Sequence, residues 1–296
     1  GGNLLRAVPD QERMEKAWAA QELSVMVSTK LNRSHLFPAK LAYILPCLGR
    51  FEADEQTTGN QTVTTEDSFS MINGSIGYRD PPSDMLKSEL AIVTGIAKAA
   101  VPPLPDLKWD DWTGDYSLVR DLIEKTYPDD FRDYNLRMYD AGGFYRGNGA
   151  HERIWKTPEG KAVFTTPGQL TSLGFQDAPG RYRLITLRSN DQFNTTIYGY
   201  SDRLRGLEGS RDILLMCPED IAEAGLTDGQ TVTLVTDVDD GQDRPLGGLT
   251  LTAYKLPRGT LASYYPECNV LMPISHHDTL SKTPASKSIP VKVERS

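Results

Sequence analysis

The carboxyl-terminal third of the chain is written in short alternating runs. "YRLITL", "DILLMC", "QTVTLVTDV", "GGLTLTAYKL" and "SIPVKV" put apolar side chains at every second position, or nearly so, and predict strands. Turn signals such as "TDGQ" and "DDGQ" separate them. One segment changes period: "PEDIAEAGL" reads as a helix, with Pro218 in its first turn and Gly225 at its end. Short strands with a single helix among them predict a compact barrel of roughly 120 residues, over 176–296.

The first hundred residues have another rhythm. Pro9-Asp10 opens a helical stretch, "QERMEKAWAAQEL", with Met14, Ala17, Trp18 and Leu23 as a loose apolar stripe. "LSVMVSTK" and "LAYILPCLG" are β-rich runs on either side of a polar gap, and "SELAIVTGIAKAA" is a second helix. Helix and strand in alternation predict a partial parallel α/β layer over 1–100. An isolated piece of sheet leaves an edge strand without a neighbour, so exposed apolar residues and backbone donors are expected there. Residues 101–175 read as a connector. "VPPLPDLKWDDWTGDY" is too rich in Pro, Asp and Trp for an element interior, "YSLVRDLIEKTY" is helical, and a short hairpin is expected to turn at Pro158-Glu159-Gly160.

Composition narrows the function more than the fold. With 39% hydrophobic and 24% charged residues in 296, the chain is an ordinary globular sequence. A net charge of −8 argues against a general nucleic-acid binder, which needs a basic face. No apolar run approaches the roughly 20 residues of a membrane span. The three cysteines, Cys47, Cys217 and Cys268, are far apart and odd in number, which points to buried reduced thiols and a cytoplasmic setting.

The densest chemistry follows the first barrel strand. In "TLRSNDQFNTTIYG", hydrogen-bonding side chains arrive almost without a break. Such a run either caps its own backbone or grips a polar ligand. Other candidates are weaker. His276-His277 are adjacent and point apart on most backbones, so a surface loop is expected rather than a metal site. Glu52, Asp54 and Glu55 crowd one loop but have no distinguished acid partner elsewhere, and no G-x-S-x-G elbow is present.

"STKLNRSH", "ILPCLGRFEADEQTTGNQTVTTEDS", "RSNDQFNTTIYGYSDRLRG", "PEDIAEAGLTDGQTV", "ASYYPECNVLMP" and "SKTPASKSIPVKV" run in the order seen in the C-terminal part of molybdopterin oxidoreductases. The chain most resembles their formate dehydrogenase alpha-subunit-like, YdeP-like branch, over nearly its whole length. The resemblance implies a partial Rossmann-like α/β layer followed by a six-stranded double-psi β-barrel. It implies a molybdenum or tungsten bis(molybdopterin guanine dinucleotide) cofactor. The metal ligands, the catalytic residues and any 4Fe-4S cluster would lie in the part of the subunit upstream of Gly1.

Residue by residue, the resemblance makes Thr186, Leu187, Arg188, Ser189, Gln192, Phe193, Asn194 and Thr195 a loop around the pterin and phosphates. Arg188 would offer a forked donor pair to a pyrophosphate or a pterin carbonyl. Asn3 and Ser28, Thr29 and Lys30 match positions facing a guanosine, Glu89 an acidic guanine contact, and Tyr265, Asn269 and Lys287 a cluster closing over the pterin. The substrate implied is formate or a similar small molecule. The implied partners are the rest of the subunit and an electron-transfer or maturation protein. A second reading, from a different class, is a non-catalytic double-psi barrel module that binds a partner protein.

Overall fold

The computed structural model describes residues 2–164, 166, 175–192 and 199–296. Helices α1 (Leu4–Ala7) and α2 (Gln11–Ala19) lead into strands β1 (Leu23–Ser28) and β2 (Leu41–Pro46). The short strands β3 (Glu55–Gln56) and β4 (Gly59–Asn60) precede β5 (Thr62–Glu66) and β6 (Met71–Ile76). Then come α3 (Glu89–Ala100), α4 (Trp109–Gly114), α5 (Tyr116–Thr126), α6 (Pro128–Phe131), α7 (Tyr134–Arg137), β7 (Phe144–Tyr145) and α8 (Gly149–Glu152). The last stretch carries β8 (Tyr182–Leu187), β9 (Ser201–Asp202), β10 (Leu207–Glu208), β11 (Ile213–Met216) and α9 (Pro218–Glu223). It ends with β12 (Thr231–Thr236), β13 (Pro245–Ala253), β14 (Thr260–Tyr264) and β15 (Ile289–Arg295).

The chain divides into two compact units. One holds residues 2–25, 31–43 and 168–296, the other 26–30 and 44–167.

The first unit is built on a closed six-stranded barrel in the order β11-β13-β12-β15-β8-β14. β8 runs parallel to β14, β11 runs parallel to β13, and the remaining neighbours are antiparallel. Alternation aims Leu184, Leu214, Leu234, Leu249, Leu251, Leu261, Ile289 and Val291 into one core, where none retains exposed surface. Each such side chain contributes about 1.5–3 kcal/mol by leaving water. Five of the six barrel strands are legible in the alternation. The sixth, β14, is not, because "TLASY" has a single aliphatic side chain larger than alanine, set among small and hydroxylated ones. Leu261 enters the barrel core, while Ala262 and Tyr264 pack outward against Ile213 and Leu215. The helix expected at "PEDIAEAGL" is α9, with Pro218 in its first turn and Gly225 at φ +66° just beyond its end.

Ion pairs pin the barrel's loops. Asp220 accepts from the Gly259 N–H at 2.7 Å and from Arg258 Nε at 3.0 Å. Asp237 lies 2.5 Å from Arg181 Nε and 2.8 Å from Lys292 Nζ. The Lys292 and Arg181 bonds hold the Asp237 carboxyl below its usual range against the opposing effect of burial. Burial would raise Asp220, but the Gly259 and Arg258 bonds outweigh it and lower it too. A carboxyl depressed in the native state binds fewer protons there than in the unfolded chain. Its stabilisation is therefore complete above the unfolded value of about 3.9 and is lost as pH falls through the native value. Barrel stability should be flat from neutral pH to about 5 and decline below about 4, and Asp237→Asn should shallow that decline. Circular dichroism of thermal melts across this range reads the slope. A decline centred near pH 6 would contradict the assignment.

In the second unit, β5, β6 and β7 form a three-stranded antiparallel sheet covered by the helices after it. Ile72, Phe144, Tyr134 and Met138 make its core, with Ile123 and Phe131 packed alongside. Gly143 has φ +73°, and a Cβ there would come 2.0 Å from the Ile72 carbonyl oxygen, so only glycine fits. The loop that carries Glu52, Asp54 and Glu55 is partly ordered as the β3/β4 hairpin, and the β5/β6 hairpin follows it. Among the described residues no strands flank Pro158–Gly160. Thr157 closes a plain turn onto Lys161, because neither side supplies alternating apolar residues.

The expected parallel layer is a two-stranded ribbon of β1 and β2. The Leu41 N–H donates to Glu22 and the Cys47 N–H to Ser28, so both strands advance together. Leu41, Tyr43 and Ile44 on β2 are about half exposed, as expected of a sheet fragment.

Candidate functional site

Parallel pairing of β8 with β14 sets Leu187 beside Tyr264 and brings the carboxyl ends of the two strands together. The loops leaving them, 188–192 and 265–267, are thus neighbours. The Tyr265 N–H donates to the Leu187 carbonyl at 2.7 Å, and the Thr186 N–H to Ser286 at 3.1 Å. A cavity of about 250 Å³ opens there, lined by Ala7, Thr186, Arg188, Tyr265, Asn269, Pro284, Ser286 and Lys287.

The lining contains two cations and no carboxylate. Arg188 is exposed, its guanidinium carbon 5.8 Å from the centre of the Tyr265 ring. That geometry suits a cation–π contact and leaves the guanidinium donors available to a ligand. Lys287 Nζ donates to the Thr186 carbonyl and lies 3.3 Å from its hydroxyl. Burial lowers the Lys287 pKa, and the charges of Arg188 and Arg205 add to that effect. An anion in this cavity would relieve the repulsion between the cations. The volume falls below the ~300–1,000 Å³ of sites that enclose a whole ligand, so only part of a larger ligand would fit here.

Behind this wall lies a network that the sequence pattern does not reveal. Arg211, 3% exposed, sits just before β11. Its guanidinium donates to Glu267 Oε1 at 2.9 Å, Ser189 Oγ at 2.8 Å, Gln192 Oε1 at 3.1 Å and the Tyr265 carbonyl at 2.8 Å. Gln192 Nε2 also donates to the Tyr265 carbonyl, at 2.7 Å. A second anchor is Asp202, 2% exposed, which accepts from the Tyr264 hydroxyl at 2.8 Å and from Arg205 at 2.5 Å. Burial would raise the Asp202 carboxyl, but these bonds more than compensate and lower it. Arg205 also donates to the Arg188 carbonyl at 3.1 Å. "SDRLRGLEGSRD" looks like an ordinary polar turn. Only an arginine two positions before the apolar run "ILLM" hints that one of its charges is buried.

The remaining candidates fall in several places. Leu187 ends β8 and packs on the outer cluster with Tyr264. Asn269 is 3% exposed and donates to the Val8 carbonyl at 2.8 Å and Arg6 at 3.2 Å, tying the amino-terminal helices to the cavity wall. Asn3 stands at the N-cap of α1. Phe193, Asn194 and Thr195 lie outside the described residues.

Ser28, Thr29, Lys30 and Glu89 belong to the other unit. There the Ser28 hydroxyl folds back onto the Lys30 backbone, and Glu89 begins α3 behind its N-cap Ser88. Thr29 and Glu89 share a cavity of about 590 Å³ with Glu52, Asp54, Ser88 and Tyr116, among others. The Tyr116 hydroxyl donates to Asp54 and lies 2.8 Å from Ser88 Oγ. Burial, then the Asp54 bond, push the Tyr116 hydroxyl well above its usual pKa.

His276 Nε2 and His277 Nδ1 each meet a backbone carbonyl, Ser288 and Asp278, at 2.7 and 2.8 Å. Among the described residues no group of three or more His, Cys, Asp or Glu can hold a metal ion. Also among them, no helix is long and apolar enough to cross a membrane.

Residues 182–290 match the family described as molydopterin dinucleotide binding domain. Protein YdeP of Escherichia coli K12 is 43% identical over 303 residues, covering 100% of this chain and 39% of that protein. The uncharacterized oxidoreductase Rv2900c of Mycobacterium tuberculosis is 41% identical over 300 residues, covering 99% and 38%. The chain thus spans about two fifths of the length of these relatives. Acetylene hydratase from Pelobacter acetylenicus shares the fold at a TM-score of 0.62 and 15% identity, over 100% of this chain and 43% of the hydratase. Residues 182–290 are therefore a molydopterin dinucleotide binding domain, carried by a chain consistent with the C-terminal part of a molybdopterin oxidoreductase.

Proposed function

We propose that the cavity at the ends of β8 and β14 holds the pterin and phosphate portion of a molybdopterin guanine dinucleotide. The observation that carries this reading is the pairing of Arg188 and Lys287 in a carboxylate-free cavity inside the matched domain. Arg188 would bind two oxygens at once through its planar fork. Lys287, tethered to Thr186, would supply a point charge to a phosphate or a ring carbonyl. Tyr265 offers an aromatic face to the heterocycle. We extend the reading to the second unit, where Ser28, Thr29, Lys30 and Glu89 would meet a guanosine, and to Asn3. Thr186, Leu187, Ser189, Gln192, Phe193, Asn194 and Thr195 complete the proposed loop.

When bound, the cofactor would supply a molybdenum or tungsten centre for oxidising formate or a similar small substrate. This chain's part is to bind and orient it, while metal ligands, catalytic groups and any iron–sulfur cluster come from elsewhere in the subunit. We take 1–100, 101–175 and 176–296 as its working divisions, with an electron-transfer or maturation protein as a partner. All three cysteines are free and buried, which supports a reducing, cytoplasmic setting.

The test is chemical. Protein purified from cells that make the cofactor should release a fluorescent oxidised pterin and guanine nucleotide in equal amounts, and should carry molybdenum or tungsten by mass spectrometry. Protein free of pterin from such cells would refute the proposal.

A further inference from the structure

Ser189 and Gln192 lie in the loop that the proposed function assigns to the cofactor, yet in this structure their side chains are engaged by a buried arginine. Arg211 is 3% exposed and reaches both walls of the cavity at once. On one wall it donates to Ser189 Oγ at 2.8 Å and Gln192 Oε1 at 3.1 Å. On the other it donates to the Tyr265 carbonyl at 2.8 Å and forms a forked pair with Glu267, at 2.9 and 3.1 Å. Gln192 closes the circuit, because its Oε1 also accepts from the Ser189 N–H at 3.0 Å.

Arg188 immediately precedes Ser189, and its guanidinium faces the Tyr265 ring. Arg211 thus holds both the chain neighbour of Arg188 and the backbone of the residue whose ring Arg188 faces. A guanidinium presents its donors in a fixed plane, so it can hold five acceptor atoms in one arrangement where an ammonium cannot. We propose that Arg211 is a positioning residue for the cofactor wall, setting Arg188 and Tyr265 in place before the cofactor arrives. This rests on the cofactor reading of Arg188. Preorganisation is the physical reason: donors held in place need no ordering when the anion binds.

The experiment compares pterin content per mole of protein, purified from cofactor-making cells, with hydrogen-exchange protection of the barrel strands. Arg211→Met alone would strand the Glu267 charge, so it is paired with Glu267→Gln, and Arg211→Lys is the conservative variant. Both are also made with Arg188→Ala. In the paired variant, pterin content should fall about tenfold, the lower range for losing an outer-shell partner, while amides of β11 and β12 keep their protection. Arg211→Lys should recover part of the loss. With Arg188→Ala already present, the paired change should remove less than about twofold more, since residues acting through one another are not additive.

Full pterin content in the paired variant, when Arg188→Ala alone loses it, overturns the positioning role and leaves the cofactor reading standing. Losses that multiply independently also overturn it, as does loss of strand protection in step with pterin, which would make Arg211 a framework residue. Unchanged pterin in Arg188→Ala is the distinct result that removes the cofactor reading at Arg188, and this proposal with it.

Discussion

Replacing Arg244 with methionine should destabilise the barrel unit by about 3–5 kcal/mol, the range for stripping one partner from a buried ion pair. Arg244 is 7% exposed and Asp10 4%. Arg244 Nε donates to Asp10 Oδ1 at 2.6 Å, and its terminal nitrogens grip Asp240 at 2.8 and 3.0 Å. Asp10 in turn accepts from the Ile274 N–H at 3.1 Å, so the amino-terminal helices and the barrel share one electrostatic joint. Asp10 also occupies a left-handed backbone position, φ 48°, where Asp and Asn are the least strained side-chain-bearing residues. The methionine variant leaves the buried Asp10 carboxylate facing an apolar side chain, while Asp240, which is exposed, can turn to water. For a unit of this size the melting temperature should drop by on the order of 10 °C. Lys16→Ala, which breaks only an exposed pair with Glu12, should stay within about 0.5 kcal/mol. Scanning calorimetry reads both. Equal melting of Arg244→Met and the parent would show that the joint contributes nothing.

The same joint marks where the sequence becomes opaque. Asp10 and Arg244 are 234 positions apart. A charge that will be buried looks identical, in a lone sequence, to one that will be solvated. Arg211 and Asp202 are hidden for the same reason, each in a stretch of turn residues. What can be read is local and periodic. Alternation locates five barrel strands, and proline before and glycine after delimit α9. β14 escapes because "TLASY" has too few large apolar residues to register, whereas β11, equally buried on both faces, shows as an unbroken apolar run. The β3–β6 hairpins escape because "QTTGNQTVTTEDS" is Thr-rich and polar, with too few apolar positions for a period to register.

The candidate site divides along the same line. The β8 loop stands out as a run of donors and acceptors, and Arg188, Thr186, Tyr265, Asn269 and Lys287 do meet around one cavity. That convergence follows from the parallel β8/β14 pairing, a non-local fact. Which of those side chains face a ligand and which hold the wall is likewise decided by tertiary contacts. Ser189 and Gln192 look like ligand groups in the run but bond to Arg211, while Asn269 ties down the backbone of Arg6 and Val8.

Arg188→Ala is the second large effect. A charge-assisted hydrogen bond is worth about 1.5–3 kcal/mol, which is about one to two powers of ten in affinity at about 1.4 kcal/mol per decade. The barrel itself should be untouched, because the Arg188 side chain is exposed while its carbonyl keeps the bond from Arg205. Arg188→Lys should restore only part of the loss, since an ammonium keeps the charge without the fork. Asn190→Ala is the control. Among the described residues its side chain reaches only Asp191, and its backbone N–H stays with Asp202. The measurement that bears most directly on the cofactor reading is metal by mass spectrometry and released pterin by fluorescence, each per mole of folded protein. The expected result is a tenfold or greater deficit in Arg188→Ala beside full content in Asn190→Ala. Equal content in Arg188→Ala and the parent would contradict it, and the loop after β8 would then be a turn that satisfies only itself.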